Sequence, residues 1–260
     1  MTAQIQKIEG ESGGRLGVAV IDTQTGLESG HRLDERFPLC STFKLLAASA
    51  ILKRVDEGKE SLERRIRFAS DDVVAYSPKT KQHIGGDGMP LSDICEAALT
   101  LSDNTAGNLM LGSLGGPAGV TAFARSIGDT VSRLDRMETA LNEALPGDVR
   151  DTTSPRAMAH DIQNLVLGPV LSDASKATLT AWLRANKTSD KRFRAAVPKD
   201  WIVGDKTGSG DRGSTNDVGL VWPPSRKPLI VAVYLTNTAA SPDDCNETVV
   251  KVMRTVAIVS

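Results

Sequence analysis

The chain has 260 residues, 40% of them apolar and 24% charged, and 31 Lys and Arg against 32 Asp and Glu give a net charge of -1. That length buries a good core in one large domain or two interleaved ones. The near-neutral balance argues against nucleic acid or an anionic membrane as partner, and no apolar run approaches the roughly 20 residues of a membrane helix.

In chain order, a short helical pattern around Ile5 and Ile8 comes first. Met1 to Lys7 lacks the apolar core of a secretory signal, so the protein is expected either in the cytosol or with a signal lying ahead of Met1. Arg15 to Asp22 reads as a strand, with Leu16, Val18, Val20 and Ile21 apolar. Phe43, Leu46, Ala47, Ala50, Ile51 and Leu52 mark a helical stripe that Gly58 stops. Helical runs follow over roughly 91–100, 118–126, 154–166 and 172–185, joined by Gly, Pro and Ser turns. Trp201 to Gly204, Asp217 to Trp222 and Pro228 to Leu235 read as strands. In the last, the continuous run Leu229 to Val233 predicts burial on both faces. Val249, Val252, Met253 and Val256 close the chain as a helix. This order predicts an α/β (α+β) fold, with a sheet built from both chain ends and a helical insertion between them. Residues 1–33 and 185–260 would form a discontinuous sheet domain and 34–184 an all-helical one. A cleft is expected where they meet.

Three motifs stand in a fixed order: Ser41-Thr42-Phe43-Lys44, Ser102-Asp103-Asn104 and Lys206-Thr207-Gly208. Ser41 opens a helix, where backbone N–H groups are free and negative charge is favoured. Lys44, three residues on, shares its face and can take its proton if the amine's pKa is lowered. Read singly, each motif is ordinary: an N-cap serine with a surface lysine, a capping turn, a hairpin end. Together they supply a nucleophile, two amines to manage its proton and charge, and a second hydroxyl as relay. That is serine acyl transfer without a His-Asp pair. The small residues after Lys206 would let a substrate lie along the strand edge. Cys40, Cys95 and Cys245 are an odd count, their spacing fits no zinc pattern, and His31, His83 and His160 are scattered. Packing and surface roles are expected for all six.

The three motifs resemble the signature of class A β-lactamases and penicillin-binding proteins. The resemblance covers nearly the whole chain and includes Tyr76-Ser77-Pro78. It also includes Arg136-Met137-Glu138-Thr139-Ala140-Leu141-Asn142-Glu143, continuing through Pro146-Gly147-Asp148 to Asp151-Thr152-Thr153. That segment, 136–151, is similar to the Ω-loop of class A β-lactamases, and penicillin-binding transpeptidases lack its glutamate. The resemblance implies a β-lactamase/transpeptidase-like fold with a five-stranded antiparallel sheet flanked by terminal helices. It implies hydrolysis of penicillins and cephalosporins through an acyl-enzyme on Ser41. Either Lys44 or Glu138 would take the Ser41 proton, and Glu138 with Asn142 would hold the deacylating water. The backbone N–H groups of Ser41 and Ser209 would form the oxyanion hole, and Ser102 would protonate the lactam nitrogen beside Lys206. Asn104 would bind the acylamide, Lys206, Thr207, Gly208 and Ser209 would hold the carboxylate, and Tyr76 would line the rim. Arg136 and Asp151 would close the loop's neck.

No metal or organic cofactor is implied. The expected partner is the small-molecule β-lactam alone, with no nucleic acid and no membrane, and the expected state is a monomer in the periplasm or outside the cell. The alternatives are a penicillin-binding D-Ala-D-Ala peptidase and a non-hydrolysing β-lactam sensor; Glu138 argues against both. Several positions depart from the family pattern. Ala48 stands where a partner for Cys95 is common, so that disulfide is expected to be absent. Gly210 stands where carbapenem-hydrolysing members pair a cysteine with the one matching Cys40. Met137 replaces an aromatic. Thr215 stands where many members carry a carboxylate-binding arginine; the resemblance assigns that task to Arg192, with Arg194 structural and buried.

Overall fold

The computed structural model describes residues 1–259; Ser260, the last residue of the expected sheet domain, lies outside them. Chain order runs α1 (Thr2–Ser12), β1 (Arg15–Asp22), β2 (Glu28–His31), β3 (Phe37–Pro38), α2 (Phe43–Asp56), β4 (Arg65–Ile66) and β5 (Met89–Pro90). It continues through α3 (Leu91–Thr100), α4 (Asn104–Ser113), α5 (Pro117–Ser126), β6 (Thr152–Thr153), α6 (Pro155–Ile162) and α7 (Asp173–Arg184). The turn α8 (Phe193–Ala196), then β7 (Ile202–Ser209), β8 (Thr215–Trp222), β9 (Leu229–Thr236) and α9 (Pro242–Val259) complete it.

Strands from both chain ends build one antiparallel five-stranded sheet in the order β2-β1-β9-β8-β7. Side chains alternate across it. Leu16, Val18 and Val20 of β1 and Val231, Val233 and Leu235 of β9 pack with Ile5 and Ile8 of α1 and Val249, Val252 and Met253 of α9. Ala19, Ile21, Ile230, Ala232 and Tyr234 face the opposite core, with Phe37, Phe43 and Leu46. Both faces of β9 are therefore covered, which is why its sequence is a continuous apolar run.

Helix α2 is the axis of the second layer. Every residue from Phe43 to Leu52 is buried, including Lys44 and Ser49. A one-sided stripe was expected; the helix is instead surrounded by α3, α4, α5 and α7, as an all-round apolar helix must be. The central segment is not purely helical either: β3 pairs with β6 and β4 with β5. The run expected to 166 ends as α-helix at Ile162 and continues as a π-helical turn, Gln163–Leu167. Cys40, Cys95 and Cys245 are all free and buried.

One buried pair gives the fold a pH dependence. Asp129 accepts from the amides of Val131 (2.6 Å) and Ser132 (3.0 Å). Asp161 of α6 is hydrogen-bonded to it and only 2% exposed. Arg125, which donates to the Asp129 and Ser132 carbonyls, is the nearby cation, and Tyr234 is the other titratable group whose ionisation senses the pair. Burial, then the charge of Asp129, pushes the Asp161 carboxyl well above the carboxylate range. Burial opposes ionisation of Asp129, but the hydrogen bonds from Ser132 and Val131 hold it below that range. The folded state thus holds a proton on Asp161 that the unfolded chain releases near its ordinary value. The Asp161 contribution is complete below that value and is lost as pH rises towards the folded one, by about 1.4 kcal/mol per unit of pH between the two. Asp161→Asn keeps a donor towards Asp129 without the titration. Its denaturation midpoint should gain on wild type as pH rises from 5 to 9; parallel pH profiles would contradict the shared proton.

Candidate active site

Residues Cys40–Thr42 form a 3-10 turn that runs directly into α2. Cys40 adopts a left-handed φ of 44°, a conformation that persists in a non-glycine residue only when the surroundings impose it. Those surroundings come from two sides. The Leu39 amide donates to the Asp151 carbonyl (2.8 Å) beside the β3–β6 ribbon. From β8, Asn216 Nδ2 donates to the carbonyls of Pro38 (2.9 Å) and Leu39 (3.2 Å). The Ser41 hydroxyl is fixed at the floor of a cleft.

Lys44 points back along α2, and its Nζ lies 2.9 Å from Ser41 Oγ. It also donates to the Ser102 carbonyl (2.9 Å) and Asn104 Oδ1 (2.7 Å), and it lies 2.9 Å from Glu138 Oε1. Gly107 of α4 makes room for it: a Cβ there would meet Lys44 Cε at 2.7 Å. Complete burial lowers the Lys44 pKa, with Glu138 opposing. A buried ammonium costs several kcal/mol unless paired, so burial favours the neutral amine that can accept a proton.

Glu138 is also buried. Its Oε1 lies 3.3 Å from Ser41 Oγ, and its Oε2 accepts from Asn142 Nδ2 at 2.6 Å. Helix α4 holds its backbone, since Asn108 Oδ1 accepts from the Glu138 amide (2.8 Å) and Asn108 Nδ2 donates to its carbonyl (3.0 Å). Asn104 and Asn108 are four residues apart and so share a face, one meeting Lys44 and the other Glu138. The 136–151 loop is closed at its neck as expected: Arg136 Nε donates to Asp151 Oδ2 (2.6 Å), and the Asp135 and Arg136 amides donate to Asp151 Oδ1. Met137, on the loop, is 38% exposed.

The second motif is both a cap and a wall of the cleft. Buried Asp103 caps α4 at the Ala106 amide and accepts from the Lys79 and Thr80 amides and the Thr80 hydroxyl. This pins Ser102, itself left-handed at φ 57°, so that its Oγ accepts from Lys206 Nζ at 3.0 Å. Lys206 is fully buried, and that burial, then the charge of Lys44, pushes its pKa well below the usual lysine range. Strand β7 does not stop at the motif: it runs to Ser209, paired with Thr215, and forms the edge of the sheet beside the cleft. Gly208 permits the close approach, since a Cβ would lie 3.1 Å from the Leu39 carbonyl oxygen.

Arg192 lies under that edge, 8% exposed. Its Nη1 donates to the carbonyls of Gly208 (2.9 Å) and Asn216 (2.7 Å), Nη2 to Ser209 Oγ (2.7 Å) and Nε to Asn246 Oδ1 (2.8 Å). Arg194 is structural as expected, donating to Ser189 Oγ, Asp205 Oδ1 and the carbonyls of Arg184 and Val203, but it is only part-buried, its side chain 26% exposed. Thr215, at the position of the absent arginine, is buried on β8. Ser41, Tyr76, Ser102, Asn104, Asn142, Arg192, Thr207 and Ser209 line one cleft of about 520 Å³, joined by Lys187 and Thr188. Tyr76 stands at the rim, 63% exposed. Lys44, Glu138 and Lys206 lie beneath. The reading of the sequence missed Asn108, Lys187, Thr188 and Asn216. Only Asn108 left a trace, in its spacing from Asn104.

Among the described residues, no helix is long and apolar enough to cross a membrane, and no three or more His, Cys, Asp or Glu cluster as a metal site.

The chain is similar to known proteins along nearly its whole length. The model of the β-lactamase enzyme family matches residues 1–257. The chain is 48% identical over 233 residues to β-lactamase CTX-M-97 of Escherichia coli, covering 90% of this chain and 80% of that protein. It is 47% identical over 253 residues to β-lactamase SME-1 of Serratia marcescens, covering 96% and 86%. An ancestral (GNCA) class A β-lactamase superposes with a TM-score of 0.98 at 56% identity, covering 100% of this chain and 99% of that one. A putative class A β-lactamase, PenP of Rhodopseudomonas palustris, does so with the same TM-score, identity and coverage. The chain belongs to the class A β-lactamases and is a serine β-lactam hydrolase.

Proposed function

We propose that the enzyme hydrolyses penicillins and cephalosporins through an acyl-enzyme on Ser41, which water activated by Glu138 then releases. The observation that carries this reading is the position of Ser41 Oγ, 2.9 Å from Lys44 Nζ and 3.3 Å from Glu138 Oε1. Ser41 attacks the lactam carbonyl, and its proton passes to Lys44 or, through a water, to Glu138; both lie within general-base range. The Ser41 and Ser209 amides take the oxyanion. Ser102 hands a proton to the lactam nitrogen as the C–N bond breaks, with Lys206 beside it. Glu138, oriented by Asn142 on the 136–151 Ω-loop, then deprotonates the water that attacks the ester. Asn104 donates to the acylamide carbonyl, and Tyr76 flanks it. Lys206, Thr207, Gly208 and Ser209 receive the ring carboxylate on the strand edge.

Arg192 completes that carboxylate seat in place of the cation absent at Thr215, because it holds the Ser209 hydroxyl and supplies a buried positive charge. Arg192→Ala should cost on the order of 1–3 kcal/mol in kcat/KM, chiefly through KM. Kinetics within twofold of wild type for both penicillin and cephalosporin would rule this role out. We also take 1–33 with 185–260 as the sheet domain and 34–184 as the helical domain, and the protein as an exported monomer acting in the periplasm or outside the cell. The sheet strands and terminal helices all fall in the first set, and α2 to α7 in the second. The test of the reaction is a chromogenic cephalosporin: many turnovers per enzyme are expected, and a single stoichiometric burst would mark a sensor or peptidase instead.

A further inference from the structure

The segment Asn186-Lys187-Thr188 is clamped from both sides. Asn186 Nδ2 donates to Asp205 Oδ1 (3.1 Å), and Asn186 Oδ1 accepts from the Thr188 amide (2.9 Å) and hydroxyl (2.7 Å). The Thr188 hydroxyl lies 2.5 Å from that of Thr207 on the strand edge. The Lys187 amide donates to the Thr100 carbonyl (2.8 Å), two residues before Ser102. Lys187 therefore leaves a fixed backbone at the cleft wall, and its side chain is exposed. Among the described residues its ammonium has no hydrogen-bonding or ion-pair partner. Three other lysines near the site are committed, Lys44 to Glu138, Lys206 to Ser102, and Lys191 to Asp243 at 2.8 Å; Lys79 shares the furrow behind Lys187 but does not line the cleft. Asp93 and Glu96 share a neighbouring furrow with Lys187, but neither pairs with it within 4 Å.

Position decides what this charge meets. Lys187 lines the cleft beside Thr188, whose hydroxyl meets that of Thr207, one of the groups that receive the ring carboxylate in the reading above. Asn104 and Tyr76, which take and flank the acylamide in that reading, are joined on another segment of the lining, where the Asn104 amide donates to the Tyr76 carbonyl at 3.0 Å. The ring carboxylate already has Lys206 and Arg192. A third cation, on a fixed backbone and without an ion-pair partner within 4 Å, offers a seat for a second negative charge on the fused-ring side.

We propose that Lys187 is a specificity residue that favours β-lactams carrying a second anionic group on the ring side, such as a carboxylate in the cephalosporin 3-substituent. This rests on the hydrolase reading. The test uses two cephalosporins with the same acyl group, one with a neutral and one with a carboxylate-bearing 3-substituent. Their kcat/KM ratio is measured for wild type, Lys187→Gln and Lys187→Glu. The anionic-to-neutral ratio should fall about two- to fivefold in Lys187→Gln, the scale of an exposed ion pair, and further in Lys187→Glu, through KM. Added salt should bring the wild-type ratio down to that of Lys187→Gln. A ratio unchanged in both variants overturns the proposal. So does an equal fall for penicillins whose extra carboxylate is on the acyl side chain, since the effect would then be one of net charge and not of place. Failure of the hydrolase reading would look different: wild type would not turn over the neutral cephalosporin.

Discussion

Ser41→Ala is expected to lose all covalent labelling by penicillin, and hydrolysis should fall by on the order of 10⁴–10⁶-fold, the scale for deleting a covalent nucleophile. Ser41 is the hydroxyl that meets both buried proton-handling groups, Lys44 at 2.9 Å and Glu138 at 3.3 Å. Of the other cleft hydroxyls, Ser102 is engaged with Lys206, Thr207 with Thr188 and Ser209 with Arg192, while Tyr76 stands exposed at the rim. Alanine removes one oxygen at the end of a turn held by backbone contacts from Asp151 and Asn216, so the fold should be unchanged. Intact-mass spectrometry checks the result. A penicilloyl adduct on the variant would show that the nucleophile lies elsewhere.

Glu138→Ala should separate the two half-reactions. Lys44 stays within 2.9 Å of Ser41 Oγ, so acylation retains a base. Deacylation loses the carboxylate that Asn142 orients, at a cost of on the order of 10²–10⁴-fold, typical of a general base. The acyl-enzyme should then accumulate and persist. Removing Glu138 also removes the charge that holds the Lys44 pKa up against burial, which leaves Lys44 more readily neutral. Rapid-quench mass spectrometry reads the adduct directly. Steady-state turnover equal to wild type would place the deacylating base on another residue.

These roles were unevenly legible in the sequence. Strand β1 was read to its ends because its apolar residues are continuous with the sheet core, and β9 to within one residue at each end because a strand covered on both faces has few polar positions to blur it. Strand β2, Glu28-Ser29-Gly30-His31, carries no apolar residue; it exists because Val18 to Ile21 offer it backbone partners. Helix α4 was hidden because Gly107 and Gly112 weaken helix propensity and its start is the Ser-Asp-Asn motif, whose capping role reads as a turn. The glycine that blurs the helix is the one that admits Lys44. The three motifs announced the chemistry, but Glu138 and Asn142 drew notice only through the resemblance of 136–151 to a known loop. Asn216 and the Lys187 clamp act across tertiary contacts that leave no local pattern.

The central claim is that one covalent intermediate on Ser41 forms and is released. The most direct measurement follows wild-type enzyme with excess benzylpenicillin by quenched mass spectrometry, and maps the modified peptide at each time. The account predicts an adduct on the peptide bearing Ser41 that appears within the first turnover and disappears once substrate is exhausted, leaving unmodified enzyme. An adduct that persists at one equivalent, or hydrolysis with no adduct on Ser41 at any time, would contradict it.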